Sequence, residues 1–145
     1  MERQFTRQAE NALKLAKTTA RSCGHSYIGT EHLLAGLLKE PEGTAGKGLE
    51  EFHVEEEKLM ELISQLIAPA QGEVAVKEPK EPEYSPRSRR ILEQAQEDAQ
   101  SMDSICGTEH ILLALLKETD CVATRLLFTM GVNIQKLFSA ILTAM

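Results

Sequence analysis

Two stretches of the sequence combine a hydroxyl group, a cation and the predicted start of a helix. They are Thr6-Arg7 and Ser85-Pro86-Arg87, each followed by residues that recur at helical spacing. The first backbone N–H groups of a helix have no intrahelical acceptor, and they attract anions. Glu31 and Glu109 could supply a carboxylate for a cationic group if the helix starts lie side by side. Together these residues could bind a ligand that carries both charges, and for this role we expect both carboxylates to lie at the surface.

The same residues also have a structural interpretation. Thr6, Ser85, Thr30 and Thr108 could act only as helix N-caps, because a hydroxyl at that position accepts a hydrogen bond from the first turn. The two glutamates fall in the first turn of a predicted helix, where the helix dipole favours an anion. Spacing alone therefore leaves a binding role and a capping role open.

His32 and His110 each follow one of these glutamates, which suggests a metal or an acid–base role. They do not form the H-E-x-x-H pattern and have no further ligands at fixed spacing. We therefore predict structural hydrogen bonds for them, and no metal or cofactor. Cys23, Cys106 and Cys121 lack C-x-x-C spacing and a histidine–acid arrangement, which indicates reduced thiols in a cytoplasmic protein. A thiol or metal enzyme would require a polar cluster around Cys106 or His110 in a deep pocket, so we predict no catalytic residue.

The composition favours helices and argues against two classes of partner. Of the 145 residues, 42% are hydrophobic but only 4% are aromatic, and tryptophan is absent. A core of Leu, Ile, Val, Ala and Met is typical of an all-α bundle. The net charge of -6 would repel nucleic acid and anionic membranes. No apolar run reaches the about 20 residues that span a bilayer, and the first residues lack the apolar core of a signal peptide.

The chain contains an internal duplication. Residues 29–40 read GTEHLLAGLLKE and residues 107–118 read GTEHILLALLKE, so nine of the twelve positions are identical. The match extends in both directions, with an offset of 79 residues before this block and 78 after it. We therefore predict a first repeat over 1–68, a linker rich in proline and charge over 69–83, and a second repeat over 84–145, together forming one domain.

Each repeat has the apolar periodicity of four helices, so the predicted fold is an all-α, eight-helix bundle with pseudo-twofold symmetry. Thr6 and Ser85 are predicted to cap the first helix of each repeat, with Pro86 in the first helical position. Thr30 and Thr108 are predicted to cap the second helices. The predicted core residues of the fourth helices are Leu59, Leu62, Ile63, Leu66, Ile67, Ile134, Leu137, Phe138, Ile141 and Leu142.

The GTEH blocks, together with the Tyr-Ser-Pro-Arg start at 84–87, resemble the N-terminal double-repeat domain of Clp AAA+ unfoldases, most closely of the ClpC type. The likeness covers nearly the whole chain. It implies a bundle that binds protein substrates and adaptors, such as MecA-like proteins, for an unfoldase–protease machine. It also implies recognition of phosphoarginine-marked proteins in two pockets. The pocket residues implied by the resemblance are Thr6, Arg7, Glu31, Ser85, Arg87, Arg89 and Glu109.

The nucleotide-binding motif of such a machine is not in this sequence, because no G-x-x-x-x-G-K-[ST] loop occurs. We therefore expect a binding domain, monomeric in isolation, that is a fragment of a longer unfoldase, and its end after the last apolar helix fits that expectation. The alternative is a stand-alone accessory protein that modulates the assembly of a Clp complex. The acidic residues within 50–57 are either a solvated surface or a patch that faces an adaptor.

The two predicted pockets differ in charge. Three arginines follow Ser85 within the first turns of its helix, whereas Thr6 is followed by one arginine and then by Glu10, which would repel a phosphate. Our hypothesis is that a second-repeat pocket of Ser85, Arg89 and Glu109 binds phosphoarginine more tightly than the first-repeat pocket.

Overall fold

The computed structural model describes residues 5–66 and 82–145, except for the side chain of Leu66. Most of these residues lie in eight helices, as the sequence predicted. The helices are α1 (Arg7–Ser22), α2 (Thr30–Lys39), α3 (Thr44–Glu51), α4 (Glu56–Leu66), α5 (Pro86–Ser101), α6 (Thr108–Lys117), α7 (Val122–Thr129) and α8 (Ile134–Ala144). Two short strands accompany them, β1 (Tyr27–Ile28) and β2 (Glu83–Tyr84).

The first helix of each repeat begins at the predicted cap. The N–H of Ala9 donates to the Oγ1 of Thr6 at 3.1 Å, and the N–H of Ser88 donates to the Oγ of Ser85 at 3.2 Å. Pro86 occupies the first turn of α5, where its missing N–H removes no helical bond. Both cap predictions are confirmed.

Thr30 and Thr108 do not cap their own helices, so that prediction is wrong. Gly29 and Gly107 are the N-caps of α2 and α6, and each threonine is the first helical residue. The Oγ1 of Thr108 instead accepts from the N–H of Ala45 in α3, at 3.2 Å, and the Oγ1 of Thr30 accepts from a residue of α7 at 3.1 Å. Each short helix is thus capped by a threonine of the other repeat.

The centre of the bundle is formed by α2 and α6. Every residue from Thr30 to Leu37 is buried, because α1, α3, α4, α6 and α7 surround α2. A helix that is apolar on nearly all sides is stable in water only when it is covered in this way. Gly36 allows α1 to approach closely, since a Cβ there would overlap the backbone of Ala12 and Ala16.

A reciprocal backbone pairing joins the two repeats near the helix starts. The strands β1 and β2 run parallel, and the N–H of Ser85 donates to the carbonyl of Ile28 at 3.0 Å. In the same way, Phe5 and Cys106 form a parallel bridge, and the N–H of Thr6 donates to the carbonyl of Cys106 at 2.8 Å. Each repeat therefore holds the start of the other repeat's first helix.

The outer side of α8 differs from the sequence prediction. Leu142 was assigned to the core but is 45% exposed, because α8 packs through Leu137 and Ile141 while Leu142 lies on its outer side. Ile67 and most of the predicted linker lie outside the described residues. At the end of the linker, Pro82 is buried and Glu83 belongs to β2.

No single helix in 5–66 or 82–145 has both the length and the apolar character that would let it cross a membrane. The adjacent helices α7 and α8 are long and apolar enough only when they are taken together, and they are bent by 107° relative to each other.

Candidate functional site

The starts of α1 and α5 differ in the number of N–H groups left for a ligand. At the start of α1, the N–H groups of Thr6 and Ala9 donate hydrogen bonds. The N–H groups of Arg7 and Gln8 have no acceptor in the described ranges. In α5, the proline at the first position has no N–H, and only the Arg87 amide is left. The start of α1 is therefore the better anion site by backbone geometry.

The two glutamates differ in exposure, which the sequence prediction did not foresee. The Glu31 carboxylate is buried, at 2% exposure, and its Oε2 accepts from the Tyr27 hydroxyl at 3.1 Å. The Glu109 side chain is 25% exposed. The reason lies in the preceding loops, because the position equivalent to Tyr27 is Ile105, which has no hydroxyl and is itself exposed. The expectation that both carboxylates lie at the surface is wrong for Glu31.

Both glutamates fold back over the glycine that precedes their helix. A Cβ on Gly107 would lie 2.6 Å from the Oε1 of Glu109, and a Cβ on Gly29 would overlap the Oε1 of Glu31. The missing side chain of glycine therefore makes room for the carboxylate beside the first turn, where the helix dipole favours it.

The arginines that follow Ser85 are partly engaged by acids. The Arg87 Nη1 lies 2.7 Å from the Oδ1 of Asp120, and this contact raises the pKa of Arg87 and lowers that of Asp120. The Arg90 Nη2 lies 3.8 Å from the Glu118 Oε1. Among the described residues, Arg89 is exposed and forms no ion pair, so it is the cation of this cluster that remains available to a ligand.

The structure changes the grouping of the predicted pocket residues. The Ser85 amide bonds to the loop before Glu31, and the Thr6 amide bonds to the loop before Glu109. The within-repeat pocket of Ser85, Arg89 and Glu109 is therefore not the grouping that the backbone makes. This crossing could not be read from the sequence, because the internal offset relates equivalent positions but does not tell which of them are neighbours.

Each histidine of the GTEH blocks has the structural hydrogen bond that was predicted. The Nδ1 of His32 accepts from the Gly29 N–H, and the Nδ1 of His110 accepts from the Gly107 N–H, both at 2.9 Å. Burial, with the neighbouring His25 as a second cause, lowers the pKa of His32 to about 3. His32 is therefore a neutral ring that ties down the start of its helix.

Cys23, His25 and His32 lie closer together than the sequence suggested. One ligand atom of each is within 4.8 Å of the others. Because the Nδ1 of His32 accepts from the backbone, its proton is on Nε2, and this N–H donates to the Nδ1 of His25 at 2.8 Å. If the Nε2 of His32 bound a metal, the ring proton would have to lie on Nδ1, where the Gly29 N–H already points. The hydrogen bonds therefore do not fit a metal centre.

Two of the three thiols, those of Cys106 and Cys121, are buried. Burial raises the pKa of the Cys106 thiol to about 12, and the nearby negative charge of Glu109 adds to this effect. Cys121 is also buried, whereas Cys23 is only half-buried. A protonated, enclosed thiol is a poor nucleophile, and Cys106 fills the buried position that Ile28 occupies in the first repeat.

Comparison with known proteins agrees with this architecture. The family model of the Clp repeat (R) N-terminal domain matches residues 4–130. The ATP-dependent Clp protease ATP-binding subunit ClpC of Staphylococcus aureus (strain USA300) is 38% identical over 142 residues. These residues are 97% of this chain but 17% of that protein, so the chain spans about a sixth of the length of the curated relatives it matches.

Solved structures give the same fold. The N-terminal domain of the chaperone ClpD from Arabidopsis thaliana superimposes with a TM-score of 0.81 at 27% identity, covering 97% of this chain and 96% of that one. A ClpV N-domain in complex with a VipB peptide matches with a TM-score of 0.66 at 22% identity, covering 97% and 88% of the two chains. The family match, the duplication and the reciprocal capping agree, and the chain belongs to the Clp repeat (R) N-terminal domain family.

Proposed function

We propose that this chain is the recognition domain of a Clp-type unfoldase–protease system. It binds protein substrates and adaptors, including MecA-like proteins, in the cytoplasm, and passes them to ATPase rings that other parts of the machine carry. The ClpC relatives support this role by their similarity over nearly the whole chain, and the ClpV N-domain offers a precedent in which the same fold binds a peptide.

We further propose that phosphoarginine-marked proteins are among the ligands. One observation carries this proposal: each helix start is joined by a backbone hydrogen bond to the loop that precedes the other repeat's glutamate. In each composite pocket, the amides of a helix start would bind the phosphate, and the glutamate of the other repeat would bind the guanidinium. The first pocket contains Thr6, Arg7 and Glu109. The second contains Ser85, Arg87, Arg89 and Glu31.

The two pockets should bind with unequal strength. The first has two amides without an acceptor and the exposed carboxylate of Glu109, whereas the second has one such amide and a buried carboxylate held by Tyr27. We therefore expect Glu109 to matter more than Glu31. The ranking of the two glutamates is the one expected from the sequence, but the ranking of the two helix starts is reversed. In this proposal the tighter pocket begins at Thr6 in α1 and not at the arginine-rich start of α5, and the reason is the exposure of the Glu109 carboxylate.

Calorimetric titration with free phosphoarginine tests the proposal. Glu109→Gln should weaken the tighter site by about tenfold or more, since it removes a charge-assisted contact. Glu31→Gln should affect only the weaker site. Glu97→Gln, which removes the same charge from an exposed position of α5, is the matched control and should leave both affinities unchanged. Equal effects of the Glu109 and Glu97 changes, or no binding of phosphoarginine, would refute the proposal.

A further inference from the structure

In the second repeat, two acids at the end of α6, the helix equivalent to α2, form ion pairs with arginines of α5. Where α6 ends, Glu118 and Asp120 face the first turns of α5. The Arg87 Nη1 lies 2.7 Å from the Asp120 Oδ1 and 3.7 Å from the Glu118 Oε1, and the Arg90 Nη2 lies 3.8 Å from the same Glu118 oxygen. Two guanidinium groups therefore neutralise this pair of acids.

The first repeat has the acids without the arginines. The internal offset relates Glu40 and Glu42 to the two acids of the second repeat, and Gln8 and Asn11 to the two arginines. These four residues line an open cleft between the start of α1 and the end of α2. The residues that line this acidic cleft are Arg7, Gln8, Asn11, Glu40, Pro41 and Glu42.

The carboxylate of Glu40 lacks a countercharge in this part of the molecule. Glu40 is 6% exposed, and its Oε2 accepts one hydrogen bond, from the Glu42 N–H at 2.9 Å. Within the described ranges, no cation lies within ion-pair distance of Glu40 or Glu42, and this includes Arg7, which lines the cleft. Buried carboxylates are normally paired with a cation, so the Glu40 carboxylate is a suitable partner for a cation from another molecule.

We propose that the acidic cleft binds an arginine side chain of a partner protein. The guanidinium group would occupy the place that Arg87 and Arg90 fill in the other repeat, between the two carboxylates. Its planar donors can reach both acids at once, which a lysine ammonium group does less well. The site uses carboxylates that do not belong to the phosphoarginine pockets, so it does not depend on that part of the proposed function.

The surroundings of the cleft favour a basic partner segment. Pro41 also lines a neighbouring cleft at the corner between α3 and α4. Glu50 and three further glutamates line that cleft together with one cation, Lys39, whose Nζ donates to the Thr19 hydroxyl. Residues 55–57, all glutamate, are exposed there. The second repeat has neutral and apolar residues at the equivalent positions, which include Phe128, Asn133, Ile134 and Gln135. Among the described residues, these positions therefore form an acidic face on the first repeat and not on the second, and this face complements an arginine-rich segment of a partner protein.

Backbone NMR with an unphosphorylated peptide, acetyl-Gly-Arg-Gly-amide, tests the proposal on the full chain. The peptide should shift the amide signals of Asn11 and Glu42. The matching citrulline peptide, which keeps the shape but loses the charge, should not. The lysine peptide should bind about tenfold more weakly. Shifts that the arginine and citrulline peptides produce alike, or no shift at these amides up to the solubility limit of the arginine peptide, would overturn the proposal.

Exchanging the residues that distinguish the repeats provides the matched variants. Gln8→Arg with Asn11→Arg copies the arginines of the second repeat and should close the cleft, lowering affinity for the arginine peptide by about tenfold or more. Arg87→Gln with Arg90→Asn should open a second site, seen as new shifts at Asp120. Because these changes alter surface positions, thermal unfolding serves as a check that the fold is kept. Undiminished binding to the first variant would overturn the proposal.

These results are separable from those for phosphoarginine. Glu109→Gln should leave the arginine-peptide shifts at Glu42 in place, and Glu42→Gln should leave the binding of free phosphoarginine in place. If Glu42→Gln leaves the arginine-peptide shifts unchanged, the acidic cleft is refuted while the composite pockets stand. If phosphoarginine fails to bind but the arginine peptide shifts Glu42, the cleft stands without the pockets.

Discussion

The histidines of the two GTEH blocks form hydrogen bonds with the backbone. Each accepts the N–H of the glycine that precedes its helix, which is the task that glutamate or glutamine performs in the usual capping box. In the first repeat the outer nitrogen continues the chain to His25, whereas the Nε2 of His110 is buried without a partner in the described part of the chain. The hydrogen-bond chain therefore runs from Gly29 through His32 to His25 in the first repeat, whereas in the second repeat it ends at His110.

The neutral state of His32 predicts a pH-dependent stability. Its pKa is about 3 in the folded protein and about 6.5 when unfolded. Between these values the unfolded chain binds the extra proton, so the free energy of unfolding should fall as the pH decreases from about 6.5, with a limiting slope of about 1.4 kcal/mol per pH unit. Urea denaturation between pH 6.5 and 5, above the range where carboxylates dominate, measures this slope.

The variant His32→Gln is the control for this prediction. Glutamine can still accept the Gly29 N–H but cannot gain a proton, so the slope should decrease by the contribution of one proton. A wild-type stability that does not change over this range, or an equal slope in the variant, would contradict the assignment of a neutral His32.

The cysteines predict an order of chemical reactivity. Cys23 is half-buried, whereas burial holds Cys106 and Cys121 away from solvent and raises the pKa of Cys106 to about 12. Iodoacetamide at pH 8 should therefore modify Cys23 at least about tenfold faster than the other two, as followed by peptide mass spectrometry. In denaturant all three should react. Labelling of Cys106 in the native protein at the rate of Cys23 would contradict the structure.

At the residue scale, the sequence predicted chemical types better than environments. The hydroxyls of Thr6 and Ser85 are caps as expected, because an N-cap depends on neighbours along the chain. The burial of Glu31 depends on Tyr27, one residue before the end of a loop that is one residue longer than its counterpart. Tyr27 stands four residues before Glu31, and this spacing was the one available signal.

At the scale of the helices, the least predictable feature is the capping of α3 and α7 from the opposite repeat. Neither helix has a side-chain cap of its own, since Gly43 and Cys121 stand at the N-cap positions and neither accepts a side-chain hydrogen bond from a backbone N–H of the first turn. The hydroxyls of Thr108 and Thr30 supply these bonds. Local capping rules assigned both threonines to the helices they begin, because those rules consider only residues adjacent in sequence.

This arrangement predicts the cost of removing one hydroxyl. Thr30→Val keeps the shape of the side chain but leaves the buried N–H of Ala123 without an acceptor, so the free energy of unfolding should fall by about 1–3 kcal/mol. Thr108→Val should act in the same way on Ala45. Urea denaturation measures both changes.

Thr18→Val is the matched control for these variants. The Thr18 hydroxyl donates to the carbonyl of Lys14 on an exposed face of α1, so its loss should change stability by no more than about 0.5 kcal/mol. A Thr30 variant as stable as the Thr18 variant would show that the bond between the repeats contributes little.

At the scale of the whole molecule, the duplication made the architecture predictable. Two copies of one helical pattern imply two copies of one structure, and the twelve-residue blocks place α2 and α6 as equivalent central helices. What the duplication could not give is how the copies interlock. That information lies in contacts between residues far apart in the chain, such as Thr6 with Cys106 and Ser85 with Ile28.

The interlocking predicts that the repeats fold together. Each repeat alone would lose the bonds that cap its short helix and the strand pairing at its first helix, and it would expose the apolar side of its central helix. We expect peptides covering 1–68 and 84–145 to be largely unfolded by circular dichroism, while the full chain unfolds in a single cooperative transition. A stable, cooperatively folded single repeat would contradict this prediction.

The most direct test of the account is an NMR titration of isotope-labelled protein with free phosphoarginine, comparing Glu109→Gln with Glu31→Gln. Composite pockets predict that Glu109→Gln removes the ligand-induced shifts of the Arg7 and Gln8 amides in the first repeat while the Arg87 amide still responds. Glu31→Gln should do the reverse. If Glu109→Gln instead silences Arg87 and spares Arg7, each pocket belongs to a single repeat and the central claim is wrong.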